Sequence, residues 1–242
     1  PLGYGHHLAF FHPLAPESEL RSDGTENDFG PPEPFTRRMW AGGKMAWNPS
    51  IPLLVGEKTE STWWVDSVEK KGFDKGNPML FVNKKIEYLM IGKAEPSVIE
   101  ERMHVYLSGP QAKSGPREVK GLPTATDFSY TFTPTLTTLF RFSALTWNAH
   151  LIHLDKDFAV NHEGYSERLV HGPLTALMLL EGFAYHFPRI PLKHFEYRAR
   201  NPLVVGRPLA INGRQVDEKT FVLWCVDETD GTVGMTGEVE LA

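Results

Sequence analysis

The alternation of polar and apolar residues predicts β-strands in both halves of the chain. In residues 128–133, aromatic residues alternate with Ser and Thr, which is the period of two expected of a half-buried strand. Runs rich in β-branched and aromatic residues occur at 60–68 and 79–88, and again at 220–226 and 235–241. These runs predict antiparallel strands on either side of the middle of the sequence.

One segment has the pattern of a buried helix. The pair Gly172-Pro173 precedes residues 174–187, which are apolar on nearly every face of a helix. Proline fits the first turn because its missing N–H would have no partner there, and the prolines that follow residue 187 end the helix. Residues 136–147 predict a short helix or an overhanging turn. A strand, a buried helix and three or more antiparallel strands together predict an α+β fold in which a sheet wraps around one central helix.

Two segments of the chain resemble each other. Residues 45–56 and 195–206 both end in Pro-Leu-x-Val-Gly, at an offset of 150 positions, and strand-like runs follow each of them. A chance pentapeptide is the alternative, but the agreement of register and downstream pattern favours a duplication. We therefore expect an N-terminal half at 1–107, a linker rich in Gly, Pro, Ser and Lys at 108–125, and a C-terminal half at 126–242.

The first half is expected to be degraded. Residues 3–13 are interpreted as the C-terminal part of its central helix, and no strand precedes them in this sequence. Residues 13–34 contain turn-forming and acidic residues, which predict a long loop beside the site or on the surface. The role predicted for this half is to complete a pseudo-dimer and to cover a sheet edge that would otherwise be exposed.

The composition excludes several classes of function. The chain has 242 residues and a net charge of −5, and its 25 Lys and Arg are scattered, so it does not have the basic patch of a nucleic-acid-binding protein. Its single cysteine, Cys225, excludes an intramolecular disulfide. The longest apolar run, residues 174–180, is far shorter than the ~20 residues needed to span a bilayer. Any anionic ligand must therefore be bound by a local group of cations.

The polar residues between the predicted strand and helix indicate an acyl-thioester site. Asn148 and His153 lie five positions apart, and His171 and Gly172 then open the apolar helix. The run SALTWNAHLIHLD at 143–155 resembles SALTFNGHRIHYD of the MaoC-like, type 2 hydroxyacyl-thioester dehydratase family, in its mesaconyl-CoA and itaconyl-CoA hydratase subgroup. The run PFTRRMWAGG near the N-terminus resembles PLPRRMWAGG of the same family.

This resemblance implies a double hotdog fold, in which two antiparallel sheets each wrap around a central helix and the first half is non-catalytic. It also implies a hydro-lyase that reversibly hydrates an enoyl thioester or dehydrates a 3-hydroxyacyl thioester. Coenzyme A or phosphopantetheine is then part of the substrate, and no metal or other cofactor is expected. The expected partners are the acyl thioester, an acyl-carrier protein if the substrate is carrier-bound, and a second copy of the chain in a homodimer. The expected location is the cytoplasm or the mitochondrial matrix, since a targeting segment would precede this sequence.

The chemistry of hydration assigns a role to each residue of the motif. His153 moves the proton, because an imidazole with an ordinary pKa near 6.5 gains and loses one at working pH. Asn148 orients the water, since an amide both donates and accepts hydrogen bonds but is not a base. Gly172 supplies a backbone N–H at the start of the helix, where developing negative charge on the thioester oxygen is stabilised.

Further residues are predicted to contact the substrate. Arginines suit the phosphates of coenzyme A because the guanidinium donates two parallel hydrogen bonds. The candidates for this contact are Arg37, Arg38, Arg198 and Arg200. The candidates for contact with the acyl group or the thioester are Arg141, Ser143, Trp147, His150 and His171.

The motif departs from the family at four positions, where Trp147, Ala149, Leu151 and Leu154 replace Phe, Gly, Arg and Tyr. The loss of a cation at 151 weakens the expectation of a dicarboxylic acyl substrate, whose free carboxylate needs a partner.

Two other functions remain open at this level. A hotdog acyl-CoA thioesterase would use the same helix but needs a carboxylate, and the helix has none before Glu181. A non-catalytic protein that binds acyl thioesters is the second alternative. A transition-metal site at His150, His153 and Glu163 is disfavoured, because no further ligand lies at a recognisable spacing.

Overall fold

The computed structural model describes residues 1–27, 30–109 and 115–242. Part of the predicted linker, residues 110–114, and part of the predicted loop, residues 28–29, lie outside the described residues. The strands are β1 Arg37–Trp47, β2 Thr59–Lys71, β3 Met79–Met90, β4 Val98–Leu107, β5 Phe128–Phe132, β6 Leu192–Ala199, β7 Leu209–Gln215, β8 Thr220–Asp227 and β9 Val233–Leu241. The α-helices are α1 Leu136–Leu145, α2 Leu151–Leu154 and α3 Gly172–His186. No helix within the described residues has the length and apolar character needed to cross a membrane.

The nine strands form one antiparallel sheet with a mirror-symmetric order. The order is β2-β3-β4-β1 in the first half and β6-β9-β8-β7 in the second, and β5 lies outside β7. The two halves join where β1 pairs with β6, so that Gly42 lies opposite Arg198. This arrangement, with a helix packed on the sheet, is the double hotdog fold that the family resemblance implied, with the two expected sheets joined into one.

The central helix of the second half is α3. It starts at Gly172 as predicted, with Pro173 in its first turn, and it packs against β1, β5, β7, β8 and β9. Leu179 and Phe183 are fully buried in the main apolar cluster together with Phe195 of β6. Because both the helix and the sheet are apolar where they meet, the burial of this interface stabilises the position of the N-terminus of α3.

The repeat is longer than the sequence indicated. Each half has three strands after its resembling segment, not two, and β4 and β7 were not predicted. By position in the sheet, β2 corresponds to β7, β3 to β8 and β4 to β9, so the runs at 60–68 and 220–226 are not equivalent strands of the two halves. Charged residues in β4 and small residues in β7 obscured their strand character, since such residues are uncommon in strands and only the sheet decides their conformation.

The segment at the N-terminus differs from the prediction. Residues 3–13 contain only a short 3-10 helix, His6–Ala9, and not the end of an α-helix. His7 of this turn is buried, and its Nε2 lies 3.1 Å from Glu100 Oε2 on β4. Leu8 packs into the main cluster with α3. The segment therefore connects the first half of the sheet with the central helix of the second.

A network of charged side chains surrounds the buried Glu100 of β4 in the first half. The Glu100 carboxylate is fully buried and accepts hydrogen bonds from Arg102 Nε at 2.6 Å, Arg102 Nη2 at 2.9 Å and the Tyr88 hydroxyl at 2.8 Å. Burial alone would raise the pKa of Glu100, but Arg102 and His7 together hold that pKa well below its ordinary value. Glu100 is therefore ionised, and both of its carboxylate oxygens accept hydrogen bonds.

We predict that Glu100→Gln destabilises the protein by about 3 kcal/mol, because the change leaves the partly buried Arg102 without its counter-charge. The free energy of unfolding, measured by urea titration at pH 7, tests this. Glu101→Gln, at the next position of the same strand and less buried, is the matched control and should change stability by under ~0.5 kcal/mol. Equal effects of the two substitutions would contradict a structural role for the network.

Candidate active site

The end of α1 sets the position of Asn148. Asn148 N–H donates to Ser143 O at 2.9 Å, and Trp147 N–H points to Ala144 O at 3.4 Å, which is the hydrogen-bond pattern of a Schellman cap. Trp147 occupies the left-handed position of this cap, with φ 53°. Glycine normally takes this position, so a tryptophan there stores backbone strain directly before the predicted catalytic Asn148.

The Asn148 side chain is half-buried, and one of its two polar atoms is hydrogen-bonded within its own loop. Its Oδ1 accepts a hydrogen bond from His150 N–H at 3.1 Å. Because a backbone N–H only donates, the Asn148 atom that faces His150 N–H is the amide oxygen Oδ1. The amide nitrogen Nδ2 therefore points away from His150 N–H. Within the described residues no acceptor for Nδ2 lies at hydrogen-bond distance. Asn148 therefore offers a donor to a ligand.

His153 is held in one tautomer. It lies on α2, and its Nδ1 is 2.8 Å from the backbone oxygen of Leu169. A carbonyl oxygen only accepts, so Nδ1 carries the hydrogen, and Nε2 of the neutral ring has a free lone pair. Burial lowers the pKa of His153 to about 4, against the opposing effect of the Leu169 hydrogen bond, and the charge of Arg38 lowers it further. The ring is neutral at pH 7 and ready to accept a proton at Nε2.

The His171 ring packs against the His153 ring. The two rings stack at a centroid distance of 3.7 Å and an angle of 23°. His171 is fully buried, and its Nε2 lies 2.9 Å from the Ser143 hydroxyl. Burial, with a smaller effect of His153, holds the pKa of His171 far below its ordinary value, so this ring is also neutral. The hydrogen bond between Ser143 and His171 thus connects the end of α1 to the start of α3, next to the His153 ring.

Gly172 begins α3 beside these rings. Its N–H has no acceptor within the described residues, as expected for the first turn of a helix. A Cβ at this position would lie 3.1 Å from three carbon atoms of Trp40 on β1. Gly172 is therefore required by close packing against the first half and not by its backbone angles. The free N–H and the helix dipole favour a partial negative charge at this point.

His150 lies on the other side of His153, with the ring centroids 5.6 Å apart. Its Nε2 is 3.9 Å from Asp23 Oδ2, in the loop predicted to lie beside the site or on the surface. The same loop contacts the motif through its backbone, since Leu151 N–H donates to Asp23 O at 2.9 Å. Burial, with His153 and Arg38, nevertheless holds the pKa of His150 well below its ordinary value. Asp23 is an acidic residue of the site that the sequence reasoning did not single out.

The predicted substrate-contact residues divide into two groups. The structure brings Ser143, His150 and His171 together around His153, and the charge of Arg38 affects His150 and His153. Trp147 and Arg141 are exposed on the surface next to this cluster.

The other predicted arginines have partners of their own. Arg37 Nε donates to Glu163 Oε2 at 2.7 Å in a largely buried ion pair. Arg198 is exposed and lies near Glu196. Arg200 donates to Thr236 Oγ1 at 2.8 Å and lines a surface cavity of about 230 Å³ together with Arg117 and Lys120. Arg37 is thus used inside the protein, while the role of Arg198 and Arg200 at a phosphate stays a prediction.

Trp40 was also missed as a residue of the site. It packs on Gly172, and its ring lies 5.0 Å from the buried His104 of β4. The signal was the run RRMWAGG, which was interpreted only through its two arginines. Among the described residues, no group of three His, Cys, Asp or Glu side chains is arranged to hold a metal ion.

Three polar groups of this segment have free hydrogen-bonding capacity among the described residues. His153 Nε2 has a free lone pair, Asn148 Nδ2 has no acceptor, and Gly172 N–H is unpaired at the start of a buried helix. A base, an orienting donor and a donor for a developing oxyanion are what the addition of water to a thioester-conjugated double bond requires.

Known proteins resemble this chain over most of its length. It is 34% identical over 242 residues to mesaconyl-C(4)-CoA hydratase of Chloroflexus aurantiacus, covering 97% of this chain and 82% of that protein. It is 30% identical over 234 residues to the mitochondrial hydroxyacyl-thioester dehydratase type 2 of Schizosaccharomyces pombe, covering 86% and 76%. The structure of a MaoC-like dehydratase from Phytophthora capsici superimposes with a TM-score of 0.66 at 15% identity, covering 88% and 73%, which supports the fold.

The sequence model of hydroxyacyl-thioester dehydratase type 2 matches residues 5–205. This range includes β1 and β6, the two strands that join the halves of the sheet, and the whole segment from Asn148 to Gly172. The chain therefore belongs to the hydroxyacyl-thioester dehydratase type 2 family.

Proposed function

We propose that this chain is a hydro-lyase that adds water reversibly across the double bond of an enoyl thioester, with His153, Asn148 and Gly172 as the catalytic groups. The observation that carries the proposal is the fixed tautomer of His153, whose ring stacks on His171, the residue directly before Gly172 at the start of α3. The family membership supports the same reaction class.

In the hydration direction, the water oxygen accepts a hydrogen bond from Asn148 Nδ2, and one of its protons passes to His153 Nε2. The oxygen forms a bond to Cβ, and the π electrons move through Cα and the carbonyl carbon onto the thioester oxygen. Gly172 N–H stabilises that oxyanion. The imidazolium of His153 then returns the proton to Cα, which restores the carbonyl and the neutral ring. Dehydration follows the same steps in reverse.

The buried environment of His153 suits both halves of this cycle. Burial keeps the free ring neutral, so the base is present at all physiological pH values. Once protonated, the ring is a strong acid for the same reason, and transfer of the proton to the enolate carbon is favourable. One residue therefore removes and returns the proton.

The contacts of Glu181 argue against the thioesterase alternative. Attack of water on the thioester carbonyl calls for a carboxylate near the reacting carbon, and Glu181 is the first one along α3. Its carboxylate is instead bonded to His6 of the N-terminal turn.

The substrate and its carrier are less defined than the reaction. One relative is named for mesaconyl-C(4)-CoA and the other for hydroxyacyl thioesters, so we propose a coenzyme A thioester as substrate. Binding of an acyl-carrier protein and formation of a homodimer stay predictions. The fission yeast relative is named as mitochondrial, which supports the mitochondrial matrix over the cytoplasm as the proposed location.

The first prediction concerns the proton-transferring group. His153→Ala should lower kcat for hydration of crotonyl-CoA by ~10² to 10⁴, the usual contribution of a positioned acid or base. Loss of the enoyl-thioester absorbance reports hydration, and release of free coenzyme A reports hydrolysis. His162→Ala, which removes an exposed histidine of the neighbouring turn, is the control and should retain full activity. Retention of most of the activity by His153→Ala would exclude this mechanism.

The second prediction separates a structural from a catalytic role of Asn148. Asn148→Asp should keep measurable activity, because aspartate preserves the acceptor for His150 N–H and can still bind water. Asn148→Ala removes both contacts and should lose most of the rate, since the water is no longer oriented. The two kcat values with crotonyl-CoA are compared after circular dichroism has shown that both variants are folded. Equal activities would mean that Asn148 only shapes the loop.

The third prediction is the pH dependence of kcat/KM, which reports the ionisation of the free protein. The proton-accepting form of His153 is the neutral ring, which predominates above its pKa of about 4. Hydration of crotonyl-CoA should therefore stay constant from pH 8 down to about 5. An ordinary histidine would lose half of this activity near pH 6.5. An acid limb near pH 6.5, in protein shown to be folded at that pH, would contradict the assignment of His153 as the base.

A further inference from the structure

A turn at residues 21–25 of the first half packs tightly against the loop that precedes α2. Leu151 N–H donates a hydrogen bond to Asp23 O at 2.9 Å. Gly24 has a positive φ of 78°, and a Cβ at this position would lie only 2.1 Å from the backbone oxygen of Ala149. Both the backbone angle and the close approach therefore require glycine. The turn is thereby held in a fixed position relative to this loop.

The Asp23 carboxylate is fixed by its own turn and directs one oxygen towards the histidines. Its Oδ1 accepts hydrogen bonds from Thr25 N–H at 2.9 Å and from the Thr25 hydroxyl at 2.6 Å. Its Oδ2 lies 3.9 Å from His150 Nε2, and only 14% of the Asp23 side chain and 10% of the His150 side chain are exposed. The His150 ring meets the His153 ring edge to face, with an angle of 83°. One ring thus separates Asp23 from the proposed base.

The proposed reaction creates two opposite charges in the site, and only one of them has been given a stabilising group. The negative charge on the thioester oxygen is assigned to Gly172 N–H. The positive charge forms on His153, where burial and, to a smaller extent, the charge of Arg38 disfavour it. A carboxylate close to the histidine cluster lowers the free energy of such a cation. Asp23 is a carboxylate in that position.

We propose that Asp23 and His150 form a carboxylate–imidazole pair that stabilises the imidazolium of His153 during proton transfer. Asp23 is then a positioning residue that the first half supplies to the site. This inference rests on the proposed function and adds the group that balances the positive charge of the reaction. A carboxylate only accepts hydrogen bonds, so Nε2 of the neutral His150 ring carries the hydrogen and Nδ1 has a lone pair. No proton moves to Asp23, and the pair acts only through its charge and its orientation.

The tautomer of His150 tests the pair without any need for catalysis. In Asp23→Asn the amide oxygen should keep the place of Oδ1, because Thr25 N–H needs an acceptor, and the amide nitrogen then faces His150. The facing ring nitrogen must now accept, so the tautomer should reverse from Nε2–H to Nδ1–H. The ring ¹⁵N chemical shifts at pH 8 report both states, and the His150 signals are identified by their absence from His150→Gln. An Nδ1–H tautomer in the parent, or the same tautomer in both proteins, would overturn the pair.

Asp23→Asn also removes the charge while keeping the shape of the turn, which makes it the kinetic test. Its kcat for hydration of crotonyl-CoA should fall ~10- to 100-fold, since a nearby opposite charge shifts the pKa of a buried group by about one to two units. The Kd of butyryl-CoA, measured by calorimetry, should change less than ~2-fold, because binding creates no cation. Asp157→Asn, which removes an exposed acid after α2, is the control and should keep the parent kcat. An unchanged kcat in Asp23→Asn, or a loss of affinity as large as the loss of kcat, would overturn the electrostatic role.

A double-mutant cycle shows whether Asp23 acts through His150. His150→Gln should itself lower kcat, and adding Asp23→Asn to it should cause less than a ~2-fold further loss, because the two residues act as a unit. Losses that multiply would overturn the pairing. The NMR result also separates this inference from the proposed reaction. A parent with the Nε2–H tautomer of His150 that hydrates no thioester supports the pair and refutes the proposed function alone, whereas a hydrating parent with the other tautomer refutes the inference alone.

Discussion

The packing of Trp40 on Gly172 is the contact on which the site depends. It joins β1 of the first half to the first residue of the central helix of the second, with 3.1 Å between the Trp40 carbons and the place of a glycine Cβ. Because α3 is buried along most of its length, its N-terminus cannot shift without disturbing the core. The free N–H of Gly172 is therefore held at a fixed distance from the first half of the sheet. Any residue on the same face of β1 acquires a fixed position relative to the proposed oxyanion site.

The cluster of neutral histidines lowers the stability of the folded protein in acid. His150, His153 and His171 each have a pKa below the ordinary value because burial disfavours the charged ring. An unfolded chain binds protons at these rings below about pH 6.5, whereas the folded chain does not. Each ring therefore contributes less stability as the pH falls from about 6.5 towards its folded pKa. The same depressed pKa keeps His153 unprotonated at pH 7, so the property that costs stability in acid also suits the proposed proton transfer.

Much of the fold and part of the site could be predicted from the sequence. The buried helix was clear because Gly172 and Pro173 mark its start and an unbroken apolar run follows. Asn148, His153 and Gly172 could be predicted as a site because their spacing is local and resembles that of a family, and their catalytic roles stay predictions. The strand β4 was missed because its charged residues, such as Glu100 and Arg102, point into a buried network that balances their charges, and no local pattern reveals such a pairing.

Residues that reach the site from distant segments were harder to recognise. Asp23 comes from a loop whose position is set by its contact with Leu151, and nothing in its neighbourhood in the sequence indicates that contact. Arg37 and Arg38 look equivalent in sequence, and the pairing of β1 with β4 decides which face of the strand each one takes. A one-residue shift of that register would exchange the faces of the two arginines. The register of β1 thus determines which of two neighbouring charges pairs with Glu163 and which acts on His150 and His153, and Trp40, packed on Gly172, opposes such a shift.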